Sequence, residues 1–254
     1  MKREERRQSI IDMLINQHAV DLDDLAEHFV VSKMTIHRDL DDLEQAGVLR
    51  KVRGGATIDA GTQFESDFRL RERQDGAAKA RMVEAAMALI EPGMTVMIND
   101  GSMAALLGAS LPSKRPLSVI TNNAAVIDQL REALGIKLIA LGGVFSAKFN
   151  GFFGVVTEES IARLRADIAF ISAPAVAGVQ AFHMDDNVVR AKRAMLASAD
   201  KSCLLVNHQR FGRSAMHVLS NLDAFDTIIT DDIPAPEDTA ALHRHGIKLT
   251  IART

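Results

Sequence analysis

Apolar positions in the first sixty residues recur at helical spacing in three bursts: Ile10, Ile11, Leu14 and Ile15, then Leu22, Leu25, Ala26 and Phe29, then Ile36, Leu40 and Leu43. Asp21 and Ser32 stand immediately before the second and third bursts, where a side-chain oxygen can take the orphan amides of a helix start. The connection between the second and third helices is then very short. Gly47 stops the third helix, and VLRKVRGGATI reads as two short strands turning at Gly54-Gly55. Three helices followed by a basic hairpin predict a winged helix-turn-helix over residues 1–57.

Residues 58–76 hold few periodic apolar positions and several charges, among them Glu65, Asp67, Arg69, Arg71, Glu72, Arg73 and Asp75, and read as a linker. From Ala77 the pattern alternates between helical stripes and the apolar runs TVMI, LSVI, KLIAL, IAFI, CLLV, TII and KLTI. Repeated βα units imply a parallel sheet covered by helices, here over residues 77–254. The fold class expected is therefore α/β, an N-terminal winged helix-turn-helix followed by a doubly wound α/β domain.

Composition narrows the setting. With 4% aromatic residues and no Trp or Tyr, aliphatic side chains and eleven Phe must fill the core of the 254-residue chain. The single cysteine, Cys203, excludes an intramolecular disulfide framework and a cysteine zinc cluster, and suits a reducing cytosol. The opening MKREERRQSI lacks the apolar core of a signal peptide. The most apolar long stretch, Ile168 to Phe182, is broken by Pro174 and Gly178 and too short for a bilayer. A cytoplasmic protein without membrane contact is expected.

The net charge of -3 decides nothing about a polyanionic partner, and residues 1–60 carry nine Lys or Arg against twelve Asp or Glu. Placement is more telling. Lys2, Arg3, Arg6 and Arg7 crowd the start, while Arg50, Lys51 and Arg53 cluster on the hairpin, and local basic sites can hold phosphates on a neutral protein. With Ile36, Leu40 and Leu43 turned inward, the third helix presents Lys33, Met34, His37, Arg38 and Asp41 on its other faces. Lys33, Met34 and His37 could then meet base edges in a major groove, with the hydroxyls of Ser32 and Thr35 available to phosphates. The plainer alternative is a small helical subdomain with a solvated polar face.

SKMTIHRDLDDLEQAGVLRKVRGGA closely resembles the N-terminal signature of DeoR-type bacterial transcriptional regulators, in which Ser-x-x-Thr-aliphatic-Arg-Arg-Asp-Leu precedes a Gly-Gly wing. Arg38 and Asp39 match it; His37 stands where the first Arg is usual, and Arg53 where a His is common. The resemblance runs nearly to the C-terminus. It implies a double-stranded, palindromic operator, a homo-oligomer, and a second domain similar to sugar-phosphate isomerases that takes a phosphorylated sugar as effector. On this resemblance Asn99-Asp100-Gly101-Ser102-Met103 corresponds to the phosphate loop, with Thr121-Asn122-Asn123, Gly142-Gly143 and Gly151 lining the same crevice and Arg210 replacing a usual Lys. Independently, a strand running into Gly-Ser at a helix start leaves backbone N–H groups for an anion. The segment Val189 to Arg193 resembles a basic helix segment of the family and either reaches the ligand or is exposed.

Three functional readings follow. One is a repressor of carbohydrate-catabolism genes relieved by a phosphorylated sugar. Another is a sugar-phosphate isomerase-type enzyme with an accessory DNA-binding head. The third is a ligand-sensing module whose head binds protein. Isomerisation needs a positioned base, and Ser172-Ala173-Pro174-Ala175-Val176-Ala177 carries no carboxylate where relatives have an acid, which leaves Asp100, Asp185 and Asp186. No metal or other cofactor is expected, because His183-Met184-Asp185-Asp186 and His243-Arg244-His245 lack a defined ligand spacing.

Overall fold

The computed structural model describes residues 2–17, 19–45, 47–57 and 68–253, and the chain divides into two compact units, residues 1–74 and 75–254. The first contains α1 (Arg3–Gln17), β1 (Ala19–Asp21), α2 (Leu22–Phe29), α3 (Lys33–Gln45), β2 (Arg50–Val52), β3 (Gly55–Thr57) and α4 (Phe68–Arg73). Ile10, Ile11, Leu14, Leu25, Ile36, Leu40 and Leu43 meet in one core, as their spacing predicts; the side chain of Ile15 lies outside what is described. Asp21 caps α2 through the amides of Asp23 (2.7 Å) and Asp24 (3.4 Å), and Ser32 Oγ accepts the Thr35 amide at 3.2 Å.

Three features of this unit depart from the sequence reading. Val52 pairs with Gly55, so the wing turns on Arg53-Gly54 rather than Gly54-Gly55. β1 adds a third strand, giving the order β1-β3-β2. The linker expected over 58–76 has residues 58–67 outside the described part, while 68–73 form α4, whose Leu70 joins the core and whose Arg73 pairs with Asp12 of α1.

The second unit contains α5 (Gly76–Met87), β4 (Thr95–Ile98), α6 (Ser102–Ser110), β5 (Leu117–Thr121), α7 (Ala124–Leu130), β6 (Ile136–Ala140), β7 (Val144–Ser146), β8 (Gly151–Phe153) and α8 (Val155–Ala162). It continues through β9 (Ala166–Ser172), β10 (Ala175–Ala177), β11 (Gln180–His183), α9 (Asp186–Ala197), β12 (Ala199–Leu205), β13 (His217–Asn221), β14 (Thr227–Thr230), α10 (Pro236–Arg244) and β15 (Thr250–Ile251). Seven strands pair in parallel in the order β15-β14-β12-β9-β4-β5-β6.

Alternate strand residues feed two cores, as a sheet covered on both faces requires. Val96, Ile98, Ile168, Phe170, Cys203 and Leu205 face α5, α6 and α7; Met97, Ala169, Ile171 and Leu204 face α8, α9 and α10. Burial pushes the Cys203 thiol up to about 12, consistent with an inert core residue. β7 and β8 form a hairpin, and β10, β11 and β13 a small antiparallel sheet.

Candidate functional site

On the first unit, α3 leaves Lys33, Met34, Arg38 and Asp41 exposed and Thr35 and His37 half-buried. Ser32 Oγ lies 2.9 Å from Thr35 Oγ1 and takes the Thr35 amide, so the two hydroxyls expected at phosphates also close the start of α3. Lys33 Nζ stands 2.7 Å from Asp23, and Lys51 pairs with Asp41. Surface pairs of this kind are worth at most about 1 kcal/mol, so either ammonium can exchange its carboxylate for a phosphate. Arg53 occupies the exposed tip of the wing, and Arg38 and Arg50 are exposed as well. Glu44 accepts the Lys51 amide at 2.7 Å and ties the wing to α3.

The basic cluster at the chain start is turned inward in part, with Arg6 buried and Arg7 half-buried while Lys2 and Arg3 stay exposed. Arg6 Nε donates to Asp39 at 2.6 Å, Arg3 and Arg7 approach the same carboxylate at 3.7 and 3.5 Å, and both also pair with Asp42. The Asp39 side chain is 1% exposed, so these arginines lock α1 to α3.

In the second unit the strand order reverses at β4, which has β5 on one side and β9 on the other. Sheets of this type open to ligands beyond the carboxyl ends of the strands at such a point. The Asn99–Ser102 loop leaves β4 there. Gly101, at φ 104° and ψ 163°, adopts a backbone that side chains rarely allow, and α6 begins at Ser102 with no side-chain cap. Its first-turn amides therefore have no acceptor within the helix.

The neighbouring polar residues build this loop. Thr121 Oγ1 donates to Ile98 O at 2.8 Å and accepts the Asn123 amide at 3.0 Å. Asn123 Nδ2 donates to Asn99 O and Gly101 O (3.3 and 3.0 Å), while its Oδ1 caps α7 through Ala125 and Val126. Asn122 Nδ2 donates to Phe152 O at 2.9 Å, and two backbone bonds, Ala124 N to Asn150 O and Phe152 N to Asn122 O, both 2.9 Å, dock the start of β8 on this segment. A Cβ on Gly151 would lie 3.0 Å from Asn122 O and 3.3 Å from Asp100 Cβ, so only glycine permits that approach without a shift.

Asn99, Asp100, Gly101, Thr121, Asn122, Asn123 and Gly151 are thus brought together and buried, with Ser102 and Met103 opening α6 beside them. Gly142 and Gly143 are exposed and serve the junction with α8: Thr157 Oγ1 donates to Gly142 O at 2.6 Å, and a Cβ on Gly143 would meet Thr157 Oγ1 at 2.2 Å. Arg210 is half-buried in the short turn after β12, one strand beyond β9. That turn is anchored by Asp231, which accepts the His208 amide at 2.7 Å and has the His208 ring Nδ1 2.9 Å away. Burial pushes the Asp231 carboxyl up, but its bonds to His208 outweigh this and leave it below its ordinary value.

Two further residues belong to the crevice, one of which, Lys192, the sequence reached only as part of the Val189 to Arg193 segment. The Lys192 side chain is 3% exposed; its Nζ donates to Ser172 O at 2.9 Å and stands 3.7 Å from Asp100 Oδ1. Ser172 Oγ accepts from Asn99 Nδ2 at 3.2 Å. The signal for Lys192 was present, since Val188, Lys192 and Met195 fall on one buried stripe of α9 and a lysine on an apolar stripe calls for a buried partner. Of the carboxylates on which the isomerase reading rests, Asp185 caps α9 through the Val188 amide at 3.1 Å and Asp186 pairs with Arg190 at 2.8 Å. Only Asp100 belongs to the β4 loop.

A winged helix-turn-helix and a doubly wound α/β unit on one chain define the class of two-part transcriptional regulators. Residues 6–62 match the DeoR-like helix-turn-helix domain and residues 74–232 the DeoR C terminal sensor domain. The chain belongs to the DeoR family of transcriptional regulators. It is 27% identical to the glycerol-3-phosphate regulon repressor of Escherichia coli strain K12, over 99% of this chain and 100% of that one. It is 30% identical to the L-fucose operon activator of the same strain, over 89% of this chain and 94% of that one. Ribose 5-phosphate isomerase A from Methanocaldococcus jannaschii is similar over 52% of this chain and 53% of that one, with 18% identity and a TM-score of 0.38. Among the described residues no helix is long and apolar enough to cross a membrane.

Proposed function

We propose that this chain represses carbohydrate-catabolism genes and is released from its operator by a phosphorylated sugar. The observation that carries the effector half is Lys192, an ammonium buried beside an uncapped helix start at the reversal of strand order. Amides and helix dipole favour an anion at Gly101-Ser102, and Lys192 offsets the charge of the buried Asp100 beside it. In this reading the phosphate takes the first-turn amides of α6 and the Ser102 hydroxyl, while Asn122 faces the hydroxyls of the sugar and Asp100 stays with Lys192. On the operator, α3 enters the major groove with Lys33, Met34 and His37 at base edges. Ser32, Thr35, Arg38, Arg50, Lys51 and Arg53 then hold phosphates, and paired copies of the chain match a palindrome. The names of the two relatives, one a glycerol-3-phosphate regulon repressor and the other a sugar operon activator, support a sugar-linked response.

The same geometry argues against turnover, because Asp100 faces Lys192 and Asn99 while Asp185 and Asp186 are engaged on α9. A panel of sugars and their phosphates, scored by thermal unfolding of the full chain, tests the proposal. Saturation at a hundred times the dissociation constant should stabilise the protein by about 2.7 kcal/mol, for phosphorylated ligands only. Equal stabilisation by an unphosphorylated sugar, or isomerisation that Asp100→Asn abolishes, would overturn it.

A further inference from the structure

Val30 sits at the turn between α2 and α3 with φ 53° and ψ 50°, a left-handed conformation that is unfavourable for a β-branched residue. The backbone needs that conformation: Val30 N bonds Glu27 O and Val31 N bonds Ala26 O, both at 3.1 Å, closing α2. It does not need valine, since glycine makes the same bonds without strain. Nor does the core need it, because Val30 is 88% exposed. Four residues on, Met34 in the first turn of α3 is 61% exposed, on the side away from Ile36, Leu40 and Leu43. A strained, solvated valine and a solvated methionine therefore flank Ser32 at the end of α3 that the DNA-binding reading assigns to the major groove.

We infer that Val30 and Met34 read thymine by apolar contact with its C5-methyl group, the one apolar group that base pairs present in the major groove. This rests on the operator reading above and adds a recognition chemistry to it. The cationic and polar residues around them, Lys33, His37 and Arg38, address phosphates and hydrogen-bonding base edges. Strain retained at an exposed position is the pattern expected where a side chain serves a partner rather than the fold.

The test uses the full-length protein and the tightest duplex it selects from a random-sequence pool. Each thymine is replaced in turn by deoxyuridine, which removes only the methyl group. At one or two positions per half-site the affinity should fall about fourfold, the equivalent of one buried methylene. Met34→Ala or Val30→Gly should bind the parent duplex more weakly and no longer distinguish thymine from uracil there, as coupled sites require. Val30→Gly should also melt at a higher temperature, which separates contact from folding. A parent protein indifferent to every thymine-to-uracil change overturns the inference, as does an undiminished uracil penalty in both variants; in that case the two residues serve a protein contact or none. Failure to enrich any duplex would instead contradict the DNA-binding reading itself.

Discussion

Asp39 gathers three arginines of α1 on one buried carboxylate, while Asp41, two residues along α3, meets Lys51 at the surface. The two aspartates should behave very differently. Asp39→Ala strands Arg6 without its partner and should cost about 3–5 kcal/mol, whereas Asp41→Ala should change stability by less than about 1 kcal/mol. Urea unfolding of the full chain measures both; equal midpoints would show that the arginine cluster does not hold the head together. At this scale the sequence was legible where chemistry is local. Asp21 and Ser32 cap helices that begin one residue later, so adjacency alone identifies them. The partners of Arg6 and Lys192 were not legible, because Asp39 and Asp100 lie far along the chain and only folding selects them.

Elements were legible in proportion to their length and burial. The strands of the large sheet announce themselves as apolar runs, since both faces are covered. β1, β7, β8 and β10, of three residues each, give a period-2 pattern too little room to register, while β11 and β13 are no shorter than β4 or β14 but lie outside that sheet and lack a continuous apolar run. α4 escaped for a related reason, having only Phe68 and Leu70 as apolar positions. The wing carries the clearest prediction of an element's function. Its tip holds an exposed Arg53, while Lys51 nearby is already matched by Asp41. Arg53→Ala should therefore lower the dependence of log affinity on log salt by about one unit, for operator and random duplexes alike. Lys51→Ala should lower it less. The reverse ranking, measured by binding titrations across a salt series, would mean that the Lys51–Asp41 pair opens at no appreciable cost and that Lys51 is the principal phosphate contact of the wing.

For the whole molecule, regulation requires that the effector bind the DNA-competent and DNA-incompetent states with different affinity, a coupling usually of about 1 to 3 kcal/mol, or about 5- to 150-fold. On the proposed function, the crevice in residues 75–254 governs what residues 1–74 do. Ser102 is the position at which to ask. An acid at Gly101 would add backbone strain at φ 104°, but Ser102→Asp places its charge in the first turn of α6, where the helix itself favours a carboxylate. Because Ser102 is buried two residues from Asp100, thermal unfolding checks that the variant folds; a phosphate should be repelled. Titration of operator complexes with the stabilising sugar phosphate decides the matter: the parent should be released with its operator affinity lowered about 5- to 150-fold, and the Ser102→Asp protein should bind operator as tightly as the parent and stay bound. Release of the variant at the parent's effector concentration would contradict the assignment of the crevice as the effector site.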